Sequence, residues 1–119
     1  PRVHPDLEGQ ETQFGYALGV GRDVNALDFN QILKYHRGDD HVAVHQLAPA
    51  KMASEPVFVP KNDAKAEDEG YLMSYVFDQD KNTSELIVLD AQNVAAEPIA
   101  CIELPQRVPF GFHGSWVPG

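Results

Sequence analysis

Turn signals cut this chain roughly every 8 to 14 residues, and that spacing limits the fold more than any other feature. Nine glycines and nine prolines in 119 residues supply most of the interruptions. Between them lie short apolar runs with an alternating pattern, the mark of half-buried strands. Gln13 to Gly19 reads as a strand with Phe14, Tyr16 and Leu18 on one face, and Gly19 and Gly21 mark a turn. Asp28 to Tyr35 carries Phe29, Ile32, Leu33 and Tyr35, a pattern that a short helix also satisfies. Gly38-Asp39-Asp40 is a hairpin turn, after which His41 to Leu47 alternates through Val42, Val44 and Leu47.

The second half repeats this style. Ser54 to Pro60 is an apolar strand, and Lys61 to Gly70 is a charged, solvated loop. Tyr71 to Phe77 is apolar on both faces, as an inner strand should be. Asp78 to Thr83 is a polar turn from which Glu85 to Leu89 pairs back. Asp90 to Glu97 reads as a loop or one helical turn capped by Asp90, and Ile99 to Leu104 as the next strand. Residues 1–12 form a polar, extended lead-in. The expectation is all-β: about seven strands in antiparallel hairpins with little helix. Two four-stranded propeller blades and a β-sandwich both fit this pattern.

Charge and cysteine content exclude several functions. Nine basic against eighteen acidic residues give a net charge of −9, which opposes nucleic-acid binding and an electrostatic membrane patch. No apolar run approaches the ~18 residues of a membrane span. Cys101 is the one cysteine, which rules out an intrachain disulfide and points to a cytoplasmic protein. It lies in the apolar run Ile99 to Ile102 and reads as an inert buried thiol.

Two stretches carry chemistry. In Val108-Pro109-Phe110-Gly111-Phe112-His113-Gly114-Ser115-Trp116 a histidine sits between glycines, walled by aromatics. A neutral imidazole in a dry pocket is a good transition-metal ligand. The alternative is a hydrogen-bonded, chemically idle histidine in a turn. In the second stretch, Glu55 is embedded in Pro56-Val57-Phe58-Val59. A buried carboxylate there needs a partner, and the outer N–H of a metal-bound histidine is a suitable one. The alternative is a glutamate at a strand edge, facing water. His41 and His45 share one strand face but stand about 13 Å apart, too far to share an ion. His36 joins them as a candidate without a ligand partner, and His4 reads as a surface histidine.

The stretch Val108 to Trp116 resembles the C-terminal signature of the carotenoid cleavage oxygenases. Ser54-Glu55-Pro56-Val57-Phe58-Val59, Glu67 to Val76 and Ser84 to Ala91 resemble further segments of that family, in family order. The resemblance implies a seven-bladed β-propeller whose ferrous iron is held by four histidines, of which only the last maps here, onto His113. It implies a strand at Asp28 to Tyr35, no ligand among His36, His41 and His45, and a role for Glu55 beside an iron-binding histidine. It further implies that residues 1–119 are the C-terminal part of one propeller domain whose other blades lie upstream of Pro1. The expected activity is cleavage of a conjugated double bond by O₂, in an apocarotenoid or stilbene-type substrate, giving two carbonyl products. Phe110, Phe112 and Trp116 are then candidate pocket walls. The chain alone should hold no iron and be inactive. The competing classes are a non-catalytic β-rich module that pairs through exposed edge strands, and an unrelated small β-sandwich binding protein.

Overall fold

The computed structural model describes residues 2–19, 29–39, 41–106 and 117. The described residues form two antiparallel sheets and one 3₁₀ turn, Pro5–Leu7. The first sheet contains β1 (Phe14–Gly19), β2 (Gln31–His36) and β3 (Val42–Gln46) in chain order. The second contains β4 (Lys51–Ala53), β5 (Val57–Pro60), β6 (Gly70–Asp78), β7 (Thr83–Asp90) and β8 (Ala100–Glu103). Its order is β4-β6-β7-β8, with β5 also paired to β6.

Register decides which residues meet. Across the first sheet Tyr16 lies opposite Lys34 and Lys34 opposite Ala43, while Leu18, Ile32 and His45 form the neighbouring row. Across the second, Leu72 lies between Phe58 and Leu89, and Ser74 opposite Ile87. One face of each sheet turns toward the other. Tyr16, Ile32 and Leu47 bury against Phe58, Leu72, Val76, Ile87, Leu89, Ala91 and Val94. The Tyr16 and Phe58 rings stack between the sheets, 5.3 Å apart and 6° from parallel.

The turns follow local chemistry. Gly38 adopts φ +84 after β2 and Asn82 φ 53 between β6 and β7, the left-handed region that glycine and asparagine tolerate best. The Asp78 carboxylate accepts from the N–H groups of Asp80 and Lys81 at the β6–β7 turn. Asp90 does the same for Gln92, which makes 91–99 a chain of turns and not a helix.

Several expectations change. The segment after Phe29 is a strand, as the resemblance implied, and not a helix. Of Val42, Val44 and Leu47 only Leu47 is buried in the core; within β3 it is Ala43 and His45 that point inward, while Val42 is exposed. Alternation in Val42-Ala43-Val44 cannot distinguish a core face from an apolar outer face. β4 has no counterpart among the expected strands, because three residues carry no period. Residues 1–12 are more than a lead-in: Arg2 bridges to Tyr16 through both backbone hydrogen bonds, at 2.6 and 2.7 Å. His4 is half-buried, its ring 5.1 Å from that of Phe58. Cys101 is exposed, because its strand β8 is the outer edge of the sheet and has no neighbour beyond it among the described residues. No described helix is long and apolar enough to cross a membrane.

Candidate functional site

Glu55 sits where an edge strand breaks. β4 and β5 both pair with β6, Ala53 opposite Val76 and Val57 opposite Met73. Between these pairs Ser54, Glu55 and Pro56 stand against only Tyr75 and Ser74. One extra residue against a continuous partner is a β-bulge, a device that re-aims a side chain. The sequence explains the position, since Pro56 has no N–H for a regular ladder. Serines replace the lost pairing. Ser54 donates its N–H to the Tyr75 carbonyl at 2.8 Å, and its Oγ accepts the Tyr75 N–H at 3.0 Å. The buried Ser74 hydroxyl donates to the Ser54 carbonyl at 2.8 Å.

From this bulge the Glu55 carboxylate reaches the other sheet and accepts a hydrogen bond from Arg2 Nε. The side chains are 18% and 23% exposed, so Glu55 is neither a water-facing edge residue nor an isolated buried charge. A second ion pair joins the sheets. Lys34 Nζ lies 2.7 Å from Asp68 Oδ2, donates to the Ala91 carbonyl at 2.7 Å and stands over the Phe14 ring. Burial pulls the Asp68 carboxyl upward, but the hydrogen bond and charge of Lys34, helped by Gln92, outweigh it and hold the group below its usual range. Neighbouring Glu67 accepts the N–H groups of Gln13 and Phe14 at the start of β1. The acidic run Glu67-Asp68 is therefore a strap between sheets, although the sequence reads as a solvated loop.

Arg2, Tyr16 and Lys34 form one row across the first sheet, on the face that meets the second. The two ion pairs thus flank the Tyr16–Phe58 stack. The Tyr16 hydroxyl is buried without a hydrogen-bond partner among the described residues. Burial first, and then the charges of Asp68 and Glu67, push its pKa far above that of a free phenol, so it stays protonated. None of these partners of Glu55 was visible in the sequence. Arg2 is 53 residues away, and only the bulge and the inter-sheet packing bring it close.

His113, Phe110, Phe112 and Trp116 lie outside the described residues. Of the remaining histidines, His45 is buried with Nδ1 2.8 Å from the Val94 carbonyl. A carbonyl only accepts, so that nitrogen carries a proton. His41 is exposed, and His36 stacks on Phe14 with centroids 4.8 Å apart. Among the described residues no three His, Cys, Asp or Glu side chains gather as a metal site.

A half-buried carboxylate fixed on a bulge within an all-β scaffold is the kind of anionic acceptor that holds a metal-bound histidine. Comparison with known proteins gives the class: the profile of the retinal pigment epithelial membrane protein family matches residues 1–118, and the chain belongs to that family. Apocarotenoid-15,15'-oxygenase of Synechocystis is 34% identical over 116 residues, covering 98% of this chain. A carotenoid cleavage oxygenase of Mycobacterium tuberculosis is 37% identical over 122 residues, covering 99%. The cobalt-substituted Synechocystis oxygenase superposes with TM-score 0.90 and 33% identity over 97% of the chain. Its relatives are β-propeller oxygenases, which settles the choice between blades and a sandwich. The chain spans 24% of the length of each of these three proteins.

Proposed function

We propose that this chain is the C-terminal part of an iron-dependent dioxygenase that cleaves a conjugated carbon–carbon double bond of an apocarotenoid or stilbene-type substrate with O₂, giving two carbonyl products. The observation that carries the reading is the Glu55 carboxylate, fixed by its bulge and by Arg2. A carboxylate accepts from more than one donor, so the Arg2 pair is compatible with a histidine N–H on the same group. Such an acceptor fixes the tautomer and ring plane of an imidazole, which suits a site built from histidines. The relatives' names support the apocarotenoid side of the substrate class, and the cobalt-substituted relative supports a metal centre in that protein.

Bound ferrous iron would supply O₂ activation; the chain's residues hold and shield it. His113 would be the ligand this chain contributes, and Glu55 would orient that histidine or a neighbouring one. Phe110, Phe112 and Trp116 are the candidate walls of an apolar pocket that would exclude water from the alkene. One histidine and one carboxylate do not retain iron, since affinity comes from several preorganised ligands, so the chain by itself is inactive. The protein partners with O₂ and substrate and not with nucleic acid, and it is cytoplasmic.

The second reading is a β-rich module that self-associates through an edge strand. It is favoured by β8, an edge strand where Ile102 is 50% exposed. The test uses the full-length protein purified with iron. About one iron per molecule and O₂-dependent formation of two carbonyl products from an apocarotenal or a stilbene are expected, and His113→Ala should lose both. An iron-free, inactive full-length protein that sediments as a dimer would establish the second reading instead.

A further inference from the structure

We propose that Arg2 is a positioning residue for the metal centre, acting through Glu55; the inference rests on the reading of Glu55 above. A glutamate side chain turns about three torsions, so a fixed backbone does not fix its carboxylate. The bulge at Ser54–Pro56 sets only where the chain of Glu55 starts. Its end is set by Arg2, whose guanidinium is a rigid, planar fork of donors. Arg2 is itself anchored, because both of its backbone groups bond to Tyr16 on β1. The carboxylate is thus held from two directions: by the second sheet through its backbone and by the first through its charge.

A purely structural role explains this pair poorly. The two sheets are already joined beside it by the Lys34–Asp68 pair, by Glu67 on the start of β1 and by the Tyr16–Phe58 stack. An ion pair that keeps about a fifth of each side chain exposed adds little to stability, since solvent screens it and desolvation opposes it. What it does change is direction. With Arg2 on Oε1, rotation of the carboxylate is arrested, and any imidazole N–H that meets the group finds its acceptor already aligned.

The experiment measures metal affinity and not turnover. Apo full-length protein is titrated with cobalt(II) against a chelator, reading the visible absorption of the bound ion, for the wild type, Arg2→Gln, Arg2→Lys, Glu55→Gln and the Arg2→Gln/Glu55→Gln double variant. Glu55→Gln should weaken binding about 10- to 100-fold and Arg2→Gln about tenfold, the range for partners that orient a ligand. Arg2→Lys keeps the charge without the fork and should recover part of the loss. In the Glu55→Gln background, Arg2→Gln should add nothing, because its effect passes through that carboxylate. Wild-type affinity in Arg2→Gln beside a weakened Glu55→Gln overturns the Arg2 proposal and leaves the Glu55 reading intact. Wild-type affinity in Glu55→Gln overturns the reading itself. A full additional loss in the double variant makes Arg2 a structural residue. Should Arg2→Gln not fold, Arg2→Lys carries the same comparison in both backgrounds.

Discussion

Gly70 is the residue whose replacement by alanine should cost most for the smallest chemical change. It opens β6 opposite Pro60, and a Cβ built on it would lie 2.4 Å from the Val59 carbonyl oxygen and 2.7 Å from Phe58 Cζ. Ordinary contact begins near 3.4 Å, so the overlap with backbone is about 1 Å. The Phe58 ring cannot swing away, since it is 2% exposed and stacked on Tyr16. β5 must therefore shift on β6. Overpacking costs ~1–3 kcal/mol and one strained ladder bond ~1 kcal/mol, while the stiffer unfolded chain returns ~0.4–1 kcal/mol. The net expectation is a loss of about 1–3.5 kcal/mol. Gly15 is the control, because its Cβ would meet nothing closer than 3.7 Å. Urea unfolding of the full-length protein, wild type against Gly70→Ala and Gly15→Ala, measures both. Equal midpoints for the two variants would refute the claim that close approach by β5 is what requires glycine at this position.

Other expectations follow from the same contacts. Asp68→Asn should destabilise by about 3 kcal/mol at neutral pH, because Lys34 stays buried without its counter-charge. The folded Asp68 pKa is lowered, so its contribution is present above the unfolded value of ~3.9 and is lost as pH falls through the folded one. The deficit of Asp68→Asn should therefore shrink as pH falls below the unfolded value toward the folded one, and unfolding curves at about pH 7 and about pH 3 check the direction. His45→Leu removes the donor to the Val94 carbonyl and should cost ~1 kcal/mol or more in thermal unfolding, despite being the more apolar residue. Ser74→Ala loosens the bulge and should cost about 1 kcal/mol, with faster amide exchange at Tyr75 as the local readout.

The residues spoke for the scaffold more clearly than for the site. Phe14, Tyr16 and Leu18 do turn to the core, and Tyr71 to Phe77 is an inner strand, flanked by β5 and β7. Local alternation is enough for both, because a strand shows its faces within a few residues. β3 defeated the same logic. Its inward histidine, 7% exposed, is satisfied by a carbonyl 49 residues away, so the polar residue lies inside and Val42 outside. Glu55 could be picked out by its apolar setting and its motif, but not its aim. A bulge is a mismatch between two strands, and neither strand carries it alone. Likewise nothing local to Arg2 or Lys34 names a carboxylate partner, which only the packing of the two sheets supplies.

The bulge also makes chain length at that point a matter of parity. Removing one residue from 54–56 would set two residues against Tyr75 and Ser74, so β4 and β5 would run as one regular strand with both pairings to β6 kept and no bulge left. Phe58 would still face Leu72 and the ring stack would remain, but the side chain at the old bulge would take the alternation of a plain strand and lose the direction that carries Glu55 to Arg2. The loop between Lys61 and Ala66 carries no such constraint, because an extra residue there changes only the path between strands whose pairing is already set. Two neighbouring stretches of this protein should therefore respond to deletion differently, one as a change of aim and the other as a change of slack.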